Sequence, residues 1–298
     1  MSETVVYKSG DKIEGYKVLD ELGRGAASII YAVQDPKSKQ IYALKHVQKL
    51  GDKDQRFLDQ AEAEYKVSQH LDHAAFRKIP KMQKVGKLLN TKGLILLMEL
   101  VDGAAMDVHP PKTFENAVDV FHQVASGLAH MHEAGYVHAD MKPNNVVVDD
   151  QNRVKIIDLG QSCKVGTVKE RIQGTPDYIA PEQVHRREIT GKTDVYNLGA
   201  TMYWTLSRKH IPTALAKEDK LVGSVDDSLM EKATPLIELN KKVHPKLNHV
   251  IMESVEVDPD KRPEMGDVAD QLNLVHGILL AMKNKSKTRA AAMAEDDD

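Results

Sequence analysis

One stretch of the sequence combines residue types that suit phosphoryl transfer. The run His138 to Asn145 reads H-A-D-M-K-P-N-N, and the chain later reads D-L-G from Asp158. The carboxylate of Asp140 can accept a hydroxyl proton, and Lys142 can meet a phosphate. Asn145 and Asp158 offer the oxygen ligands that a hard cation such as Mg²⁺ prefers. These parts together predict transfer of a phosphoryl group to a hydroxyl.

A β-hairpin between the two motifs is predicted to position them. Two short apolar runs, 146–148 and 154–157, flank a polar turn at residues 149–152, which is the pattern of two strands and a tight connection. A hairpin of this kind holds its two open ends side by side. We therefore expect Asp140, Asn145 and Asp158 to lie together at one end of it.

A second hairpin near the start of the chain offers a phosphate-binding backbone. The run Leu22 to Ile30 reads L-G-R-G-A-A-S-I-I and lies between two strand-like stretches. Glycines at positions 23 and 25 allow the backbone to approach phosphates closely and to point N–H groups at them. By itself a glycine-bearing hairpin is only a turn, so the prediction depends on the motif that follows.

That motif is a candidate ion pair between a strand and a helix. Alternation along residues 41–47 places Ala43 and Lys45 on one face of a strand. Helical periodicity over residues 54–71 places Glu64 on an inward face. An unpaired carboxylate there would be costly, so Lys45 is its evident counter-charge. The other members of the predicted inward face are Phe57, Ala61, Ser68 and Leu71.

Taken in order, these motifs resemble those of the protein kinases, in which H-R-D-x-K-x-x-N is followed by D-F-G. The sequence departs from the family pattern at Ser28, which replaces the third glycine of the phosphate loop, and at Leu159, which replaces the phenylalanine. A third departure is Ala139 in place of the arginine. The resemblance covers residues 16 to about 280 and is closest to the bacterial eukaryotic-like serine/threonine kinases.

The resemblance implies a role for each matched residue. Asp140 is the expected base, Lys142 the clamp on the γ-phosphate, and Lys45 with Glu64 the ion pair that holds ATP. Metal binding is expected at Asn145 and Asp158, and a substrate platform at Thr175 and Tyr178. The expected ATP-binding residues are Leu22, Gly23, Gly25, Ser28, Ile30, Ala43, Lys45, Met98, Glu99, Val101 and Val147.

Later motifs carry structural roles in the same resemblance. The run G-T-P-D-Y-I-A-P-E from Gly174 matches the end of a kinase activation segment, and Thr175 is expected to bond Asp140. Glu182 is expected to pair with Arg262. Asp194 is expected to brace the catalytic-loop backbone.

The resemblance also implies an α+β fold with two lobes. A small β-rich N-lobe is expected over residues 16–98 and a larger helical C-lobe over residues 104–280, joined by a hinge at residues 99–103. Residues 1–15 are predicted to be an irregular lead-in. The charged stretch 281–298 is predicted to be a disordered tail.

Composition excludes several other classes of protein. The chain has 298 residues, 41% of them hydrophobic, with a net charge of −3, so it can bury a sizeable core and offers no broad basic field for nucleic acid. Its single cysteine, Cys163, excludes an intrachain disulfide and favours a reducing compartment. No stretch reaches about 18 apolar residues, so no membrane span or signal peptide is predicted. The expected location is the cytoplasm.

The function implied is that of a non-specific serine/threonine protein kinase in signalling, which uses ATP and Mg²⁺, or Mn²⁺, to phosphorylate protein substrates; no oligomeric state is predicted. A pseudokinase that binds or scaffolds without turnover is the alternative from another class. Loss of any key polar residue would favour it, and all are present: Lys45, Glu64, Asp140, Asn145 and Asp158. A small-molecule phosphotransferase is a third alternative, although such enzymes generally lack the G-T-x-x-Y-x-A-P-E platform.

Ala139 also implies a mode of regulation. In kinases with H-R-D, the arginine binds a phosphate on the activation segment, and the new bonds order that segment. Ala139 has no donor to offer, so we expect activity that does not depend on phosphorylation of Ser162, Thr167 or Thr175. The open alternative is that a basic residue of the segment, Lys169 or Arg171, binds phospho-Thr167 instead.

Overall fold

An antiparallel β-sheet carries the first of two structural units. The computed structural model describes residues 4–87, 90–212 and 232–295. The first unit includes the chain up to Asp102 and the segment Ile157–Ser162. The second unit includes Gly103–Ile156 and the chain from Cys163 onward.

The sheet of the first unit has six strands in the order β1-β2-β3-β4-β6-β5. The strands are β1 Lys12–Ile13, β2 Tyr16–Arg24, β3 Ser28–Gln34, β4 Ile41–Gln48, β5 Lys81–Lys87 and β6 Asn90–Glu99. Alternation along β4 divides its side chains between two cores: Ala43 and Val47 pack with the helix, and Leu44 packs on the opposite face. The predicted alternation of this strand is therefore confirmed.

A single helix, α1, covers one face of that sheet and spans Gln55–Ser68. Its buried residues are Leu58, Ala61, Glu64 and Val67. The prediction was right for Ala61 and Glu64, but Phe57 and Ser68 are only half-buried. The helix ends at Ser68, which leaves Leu71 buried in the segment beyond it. The inward face of the helix therefore contains Leu58 and Val67, which are the apolar sequence neighbours of the predicted Phe57 and Ser68.

The predicted irregular lead-in has no helix or strand over residues 4–11 but contacts the sheet. The side-chain amide of Gln48 on β4 accepts a hydrogen bond from the N–H of Val5 at 2.7 Å and donates one to its carbonyl at 2.8 Å. Gln48 is buried, so its amide needs such partners. Val5 is therefore fixed to β4, and β1 pairs with β2 at the end of the lead-in. Residues 1–3 of the predicted lead-in lie outside the described residues.

Helices dominate the second unit. They are α2 Phe114–Glu133, α3 Pro181–Val184, α4 Gly191–Ser207, α5 Leu236–Leu239, α6 Pro245–Ser254 and α7 Met265–Glu295. Short strands connect them: β7 Ala104–Ala105, β8 Tyr136–Val137, β9 Val146–Val148, β10 Val154–Ile156, β11 Cys163–Lys164, β12 Thr167–Val168 and β13 Glu188–Ile189. The sheet in one unit and the helices in the other confirm the predicted α+β class.

The predicted hairpin between the two catalytic motifs is present. Strands β9 and β10 pair antiparallel, with Val148 opposite Val154 and Val146 opposite Ile156. Asn145 directly precedes the first strand, and Asp158 follows the second by two residues.

The charged stretch after residue 280 differs from its prediction. It was expected to be disordered, but helix α7 continues to Glu295. Alanine, lysine, methionine and arginine dominate this stretch and have high helix propensity, and extending an existing helix avoids the cost of nucleation. Residues 296–298 of the predicted tail lie outside the described residues. No helix of the described residues is long and apolar enough to cross a membrane.

Candidate active site

The first unit contains the predicted ion pair. Strand β4 presents Lys45, whose Nζ lies 2.7 Å from Oε2 of Glu64 on helix α1. Glu64 is fully buried. Burial alone would lower the pKa of Lys45, but the carboxylates of Glu64 and Asp158 outweigh burial and raise it. Lys45 therefore remains charged, as a phosphate partner must.

A second cation at Glu64 was not predicted. Nη2 of Arg77, in the segment between α1 and β5, lies 3.7 Å from Oε1 of Glu64. Its side chain is only 11% exposed. Burial lowers the pKa of Arg77, against the opposing effects of Glu64, Asp158 and Glu99. The sequence held one signal of this role, because Arg77 follows the apolar pair Ala75-Phe76, which is buried.

The glycine hairpin joins β2 to β3. The N–H of Gly25 donates to the carbonyl of Ser28 at 2.8 Å, and a Cβ added to Gly25 would lie 2.9 Å from Oγ of Ser28. Any side chain at position 25 would therefore crowd this turn. Gly23 stands opposite Ile30 in the strand pairing, and Leu22 is half-exposed.

The residues expected around the adenine ring divide between the two units. Ala43 and Met98 are buried and lie opposite each other in the pairing of β4 with β6. The N–H of Glu99 donates to the carbonyl of Lys78 at 2.8 Å, so this N–H is committed to the protein. Val101 follows β6 in the first unit, and Val147 lies on β9 in the second.

Three polar side chains meet at the catalytic loop of the second unit. Nζ of Lys142 donates to Oδ2 of Asp140 at 2.8 Å and to the hydroxyl oxygen of Thr175 at 2.7 Å. The Thr175 hydroxyl in turn donates to Oδ1 of Asp140 at 2.8 Å. Both carboxylate oxygens of Asp140 are thus oriented. The predicted contact between Thr175 and Asp140 is confirmed.

The backbone of this loop is held in an unusual conformation. Ala139 has a φ of 61°, in the left-handed region that residues other than glycine seldom occupy. Its N–H donates to Oδ1 of Asp194 at 2.8 Å, and its carbonyl accepts from Nε2 of Gln183 at 2.8 Å. The N–H of His138 donates to the other oxygen of Asp194 at 2.8 Å. Asp194 therefore braces the loop as predicted.

The Asp194 carboxylate stays charged despite complete burial. Burial alone would raise its pKa, but the hydrogen bond with His132, whose Nε2 lies 2.9 Å from Oδ2, and the interactions with His138, including its backbone N–H, lower it. A charged acceptor forms stronger hydrogen bonds than a neutral one. The two bonds to Asp194 hold the backbone at His138 and Ala139.

The candidate metal ligands have oriented side chains. Asn145 is buried, and its Nδ2 donates to the carbonyl of Asp140 at 2.8 Å, so its amide oxygen is the atom left to act as a ligand. Asp158 also has a left-handed φ, 66°, and its Oδ1 accepts from the N–H of Gly160 at 3.2 Å. An amide oxygen and a carboxylate are suitable ligands for Mg²⁺.

Backbone pairing holds two short parts of the segment from Gly160 to Tyr178. Strand β11 pairs with β8, and β12 pairs with β13. At the end of the segment Tyr178 is buried, and burial is the main reason that its pKa rises to about 12. The carbonyl of Tyr178 accepts a hydrogen bond from Nδ2 of Asn197 at 2.7 Å.

Lys169 is the segment's cation near the catalytic loop. Burial lowers the pKa of Lys169, and Cys163 and Asp140 act against this effect. Arg171, the other basic residue considered as a phosphate partner, is exposed.

Comparisons with known proteins agree on one family. A family model described as the protein kinase domain matches residues 16–272. A probable serine/threonine-protein kinase of Clostridium acetobutylicum is 26% identical over 269 residues, 87% of this chain and 40% of the relative. PknL of Mycobacterium tuberculosis is 26% identical over 294 residues, 93% of this chain and 71% of the relative. PrkC of Bacillus subtilis is 24% identical over 268 residues, which are 87% of this chain and 40% of PrkC.

The predicted resemblance to bacterial serine/threonine kinases is therefore confirmed. The chain spans less than half the length of the clostridial relative and of PrkC.

Proposed function

The chain belongs to the protein kinase family, and on this basis we propose that it transfers the γ-phosphoryl group of ATP to serine or threonine hydroxyls of proteins. The observation that carries the proposal is the contact of Lys142 and Thr175 with the two oxygens of Asp140. This arrangement fixes the orientation of the carboxylate, as a group that accepts a hydroxyl proton requires. The proposed domain covers residues 16–280.

The residues present suit Mg·ATP by their chemistry. Lys45 would contact the phosphates, and the amide oxygen of Asn145 with the carboxylate of Asp158 would hold the metal. When bound, Mg·ATP supplies the phosphoryl group and neutralises the charge that develops on it. Mn²⁺ prefers similar oxygen ligands and is proposed as an alternative.

Each polar residue of the proposed site then has a defined task. Asp140 orients the substrate hydroxyl and accepts its proton. Lys142 stabilises the negative charge on the transferring group, and Thr175 keeps the Asp140 carboxylate in place. Lys45 holds its charge in position because Glu64 pairs with it.

A transfer assay tests the proposal and its alternatives. The purified chain is incubated with radiolabelled ATP, Mg²⁺ and a degenerate peptide library, and the labelled residue is identified by mass spectrometry. Label on serine or threonine supports a protein kinase. ATP binding without transfer to any peptide would favour the pseudokinase, and transfer only to small hydroxyl compounds would favour the third alternative.

Location and partners are further parts of the same proposal. A cytoplasmic site rests on the single cysteine, and a protein rather than nucleic-acid partner rests on the near-neutral charge. Fractionation of the native host, followed by immunoblotting for the chain, would contradict the cytoplasmic assignment if the chain appeared elsewhere.

We predict that activity does not depend on phosphorylation of the activation segment. Ala139 offers no donor for a phosphate, and pairing of β11 and β12 already holds two short parts of the segment. The Thr167 hydroxyl donates to the carbonyl of Lys164 at 2.6 Å. Enzyme treated with phosphatase, and the Thr167→Ala variant, should therefore show the initial rate of untreated enzyme.

The measurement needs conditions that prevent rephosphorylation. Mass spectrometry confirms removal of phosphate, and initial rates are read at enzyme concentrations too low for reaction between two copies. A large fall in rate in both samples would refute phosphate independence and would favour binding of phospho-Thr167 by Lys169 or Arg171.

Replacement of Cys163 by serine should leave the activity unchanged. Burial raises the pKa of the Cys163 thiol, although Lys169 opposes this, so little of the reactive thiolate forms near neutral pH. Initial rates are compared before and after exposure to peroxide. Peroxide that inactivates the parent chain but not Cys163→Ser would instead identify a redox-sensitive thiol.

A further inference from the structure

We propose that Arg77 is a positioning residue that holds Glu64, and through it Lys45, in place for phosphoryl transfer. This inference rests on the proposed kinase function of the same site. It begins from the two oxygens of the Glu64 carboxylate, which have different partners. Lys45 lies 2.7 Å from Oε2, and Nη2 of Arg77 lies 3.7 Å from Oε1.

The two cations do not compete, because each addresses its own oxygen. Oε1 of Glu64 is buried and accepts no hydrogen bond among the described residues, so the Arg77 guanidinium is the charge that compensates it. A buried carboxylate with one uncompensated oxygen would be costly. Arg77 therefore stabilises Glu64 on a side that Lys45 does not reach.

Burial of the charged Arg77 side chain has an energetic cost. The Arg77 side chain is only 11% exposed, and its Nε has no hydrogen-bond partner among the described residues. A guanidinium does not lose its proton in proteins, so its charge must be balanced by neighbouring carboxylates. Glu64 lies at ion-pair distance, and Asp158 and Glu99 act in the same direction, although burial outweighs them and lowers the pKa of Arg77. Packing alone does not explain a charged residue here, because an apolar side chain would fill the space at lower cost.

The arrangement has a consequence for the working enzyme. When Lys45 contacts the phosphates of ATP, its positive charge interacts with both the phosphates and Glu64. Arg77 has no such second task in the proposed mechanism and continues to neutralise Glu64. Helix α1, which carries Glu64, therefore keeps its carboxylate turned inward throughout the reaction.

A double-mutant cycle tests the coupling between Arg77 and Glu64. Arg77→Met keeps the length of the side chain without its charge, and Arg77→Lys restores a charge. We expect Arg77→Met to lower kcat by between about tenfold and a hundredfold, because small displacements of a catalytic group have effects of this size. Arg77→Lys should recover part of the loss. In the Glu64→Gln background, Arg77→Met should cause no further loss, since the partner is already neutral.

The pair of Arg153 with Asp149, in which the arginine is exposed, provides the matched control. Nε of Arg153 lies 2.7 Å from Asp149, but its side chain is 72% exposed. Arg153→Met should therefore retain the parental kcat.

Unfolding in urea gives a second readout that does not depend on activity. Arg77→Met should lower the midpoint of unfolding in the parent chain and should leave it unchanged or raise it in the Glu64→Gln background. Equal lowering in both backgrounds, or a parental kcat in Arg77→Met, would overturn the inference. A parent chain without any transfer activity would instead overturn the proposed function, and the unfolding cycle would still decide whether Arg77 holds Glu64.

Discussion

Asp140→Asn is expected to lower the rate of phosphoryl transfer by a factor of about 10² to 10⁴, the range typical of a lost general base. The affinity for Mg·ATP should remain close to that of the parent. Asparagine has nearly the shape of aspartate, and its amide oxygen can still accept one of the bonds from Lys142 and Thr175. It has no basic carboxylate, so the substrate proton loses its acceptor. A transfer assay and calorimetric titration of Mg·ATP measure the two quantities separately.

Two further variants make the result specific. Asp158→Ala should weaken Mg·ATP binding as well as transfer, because the proposed metal ligand is removed. Asp150→Asn makes the same chemical change at an exposed aspartate of the β9–β10 turn and should alter neither quantity. Substantial turnover by Asp140→Asn would remove Asp140 from its proposed role.

The parts of this site that depend on local pattern could be predicted from the sequence. Alternation along β4 and periodicity along α1 determine which way Lys45 and Glu64 point, and the two apolar runs determine the hairpin between Asn145 and Asp158. Each of these predictions only has to decide on which face of an element a side chain lies, or whether two neighbouring strands pair. A pattern of two or three residues is enough to make such a choice.

The parts that depend on contacts distant in sequence could not be predicted without a known family. Asp140 and Thr175 meet across 35 positions, and Ala139 reaches Asp194 across 55. Only the resemblance to kinases supplied those pairs. Arg77 matches no family motif, so neither pattern nor resemblance identified it.

The extended end of α7 shows the reverse case. A charge run suggested a solvated tail, but the alanines within it favour helix, and a helix that begins at Met265 can continue through them. Charge and helix propensity made opposite predictions for residues 281–295. The prediction from helix propensity agrees with the structure, because residues 281–295 extend helix α7, which is already packed against the rest of its unit.

Glu182→Ala is expected to lower the free energy of unfolding by about 3–5 kcal/mol, as removal of one partner from a buried ion pair does. Arg262 is 2% exposed, and the two terminal nitrogens of its guanidinium lie 2.8 and 3.0 Å from the two carboxylate oxygens of Glu182. Its remaining N–H groups donate to the carbonyls of Lys192, Glu256 and Val257. Without Glu182, Arg262 keeps its charge and loses its only carboxylate among the described residues. Denaturation in urea measures the change.

The pair of Lys192 with Glu264, in which the glutamate is exposed, provides the control for this prediction. Its charged atoms lie 2.8 Å apart, as in the buried pair, but the Glu264 side chain is 70% exposed. Solvent screens such a pair, so Glu264→Ala should lower the free energy of unfolding by less than about 1 kcal/mol. A double variant, Glu182→Leu with Arg262→Leu, should be more stable than Glu182→Ala, because no unpaired charge remains buried. If Glu182→Ala and Glu264→Ala had equal effects, water or another group would have to compensate Arg262, and burial would not be what makes the pair with Glu182 important.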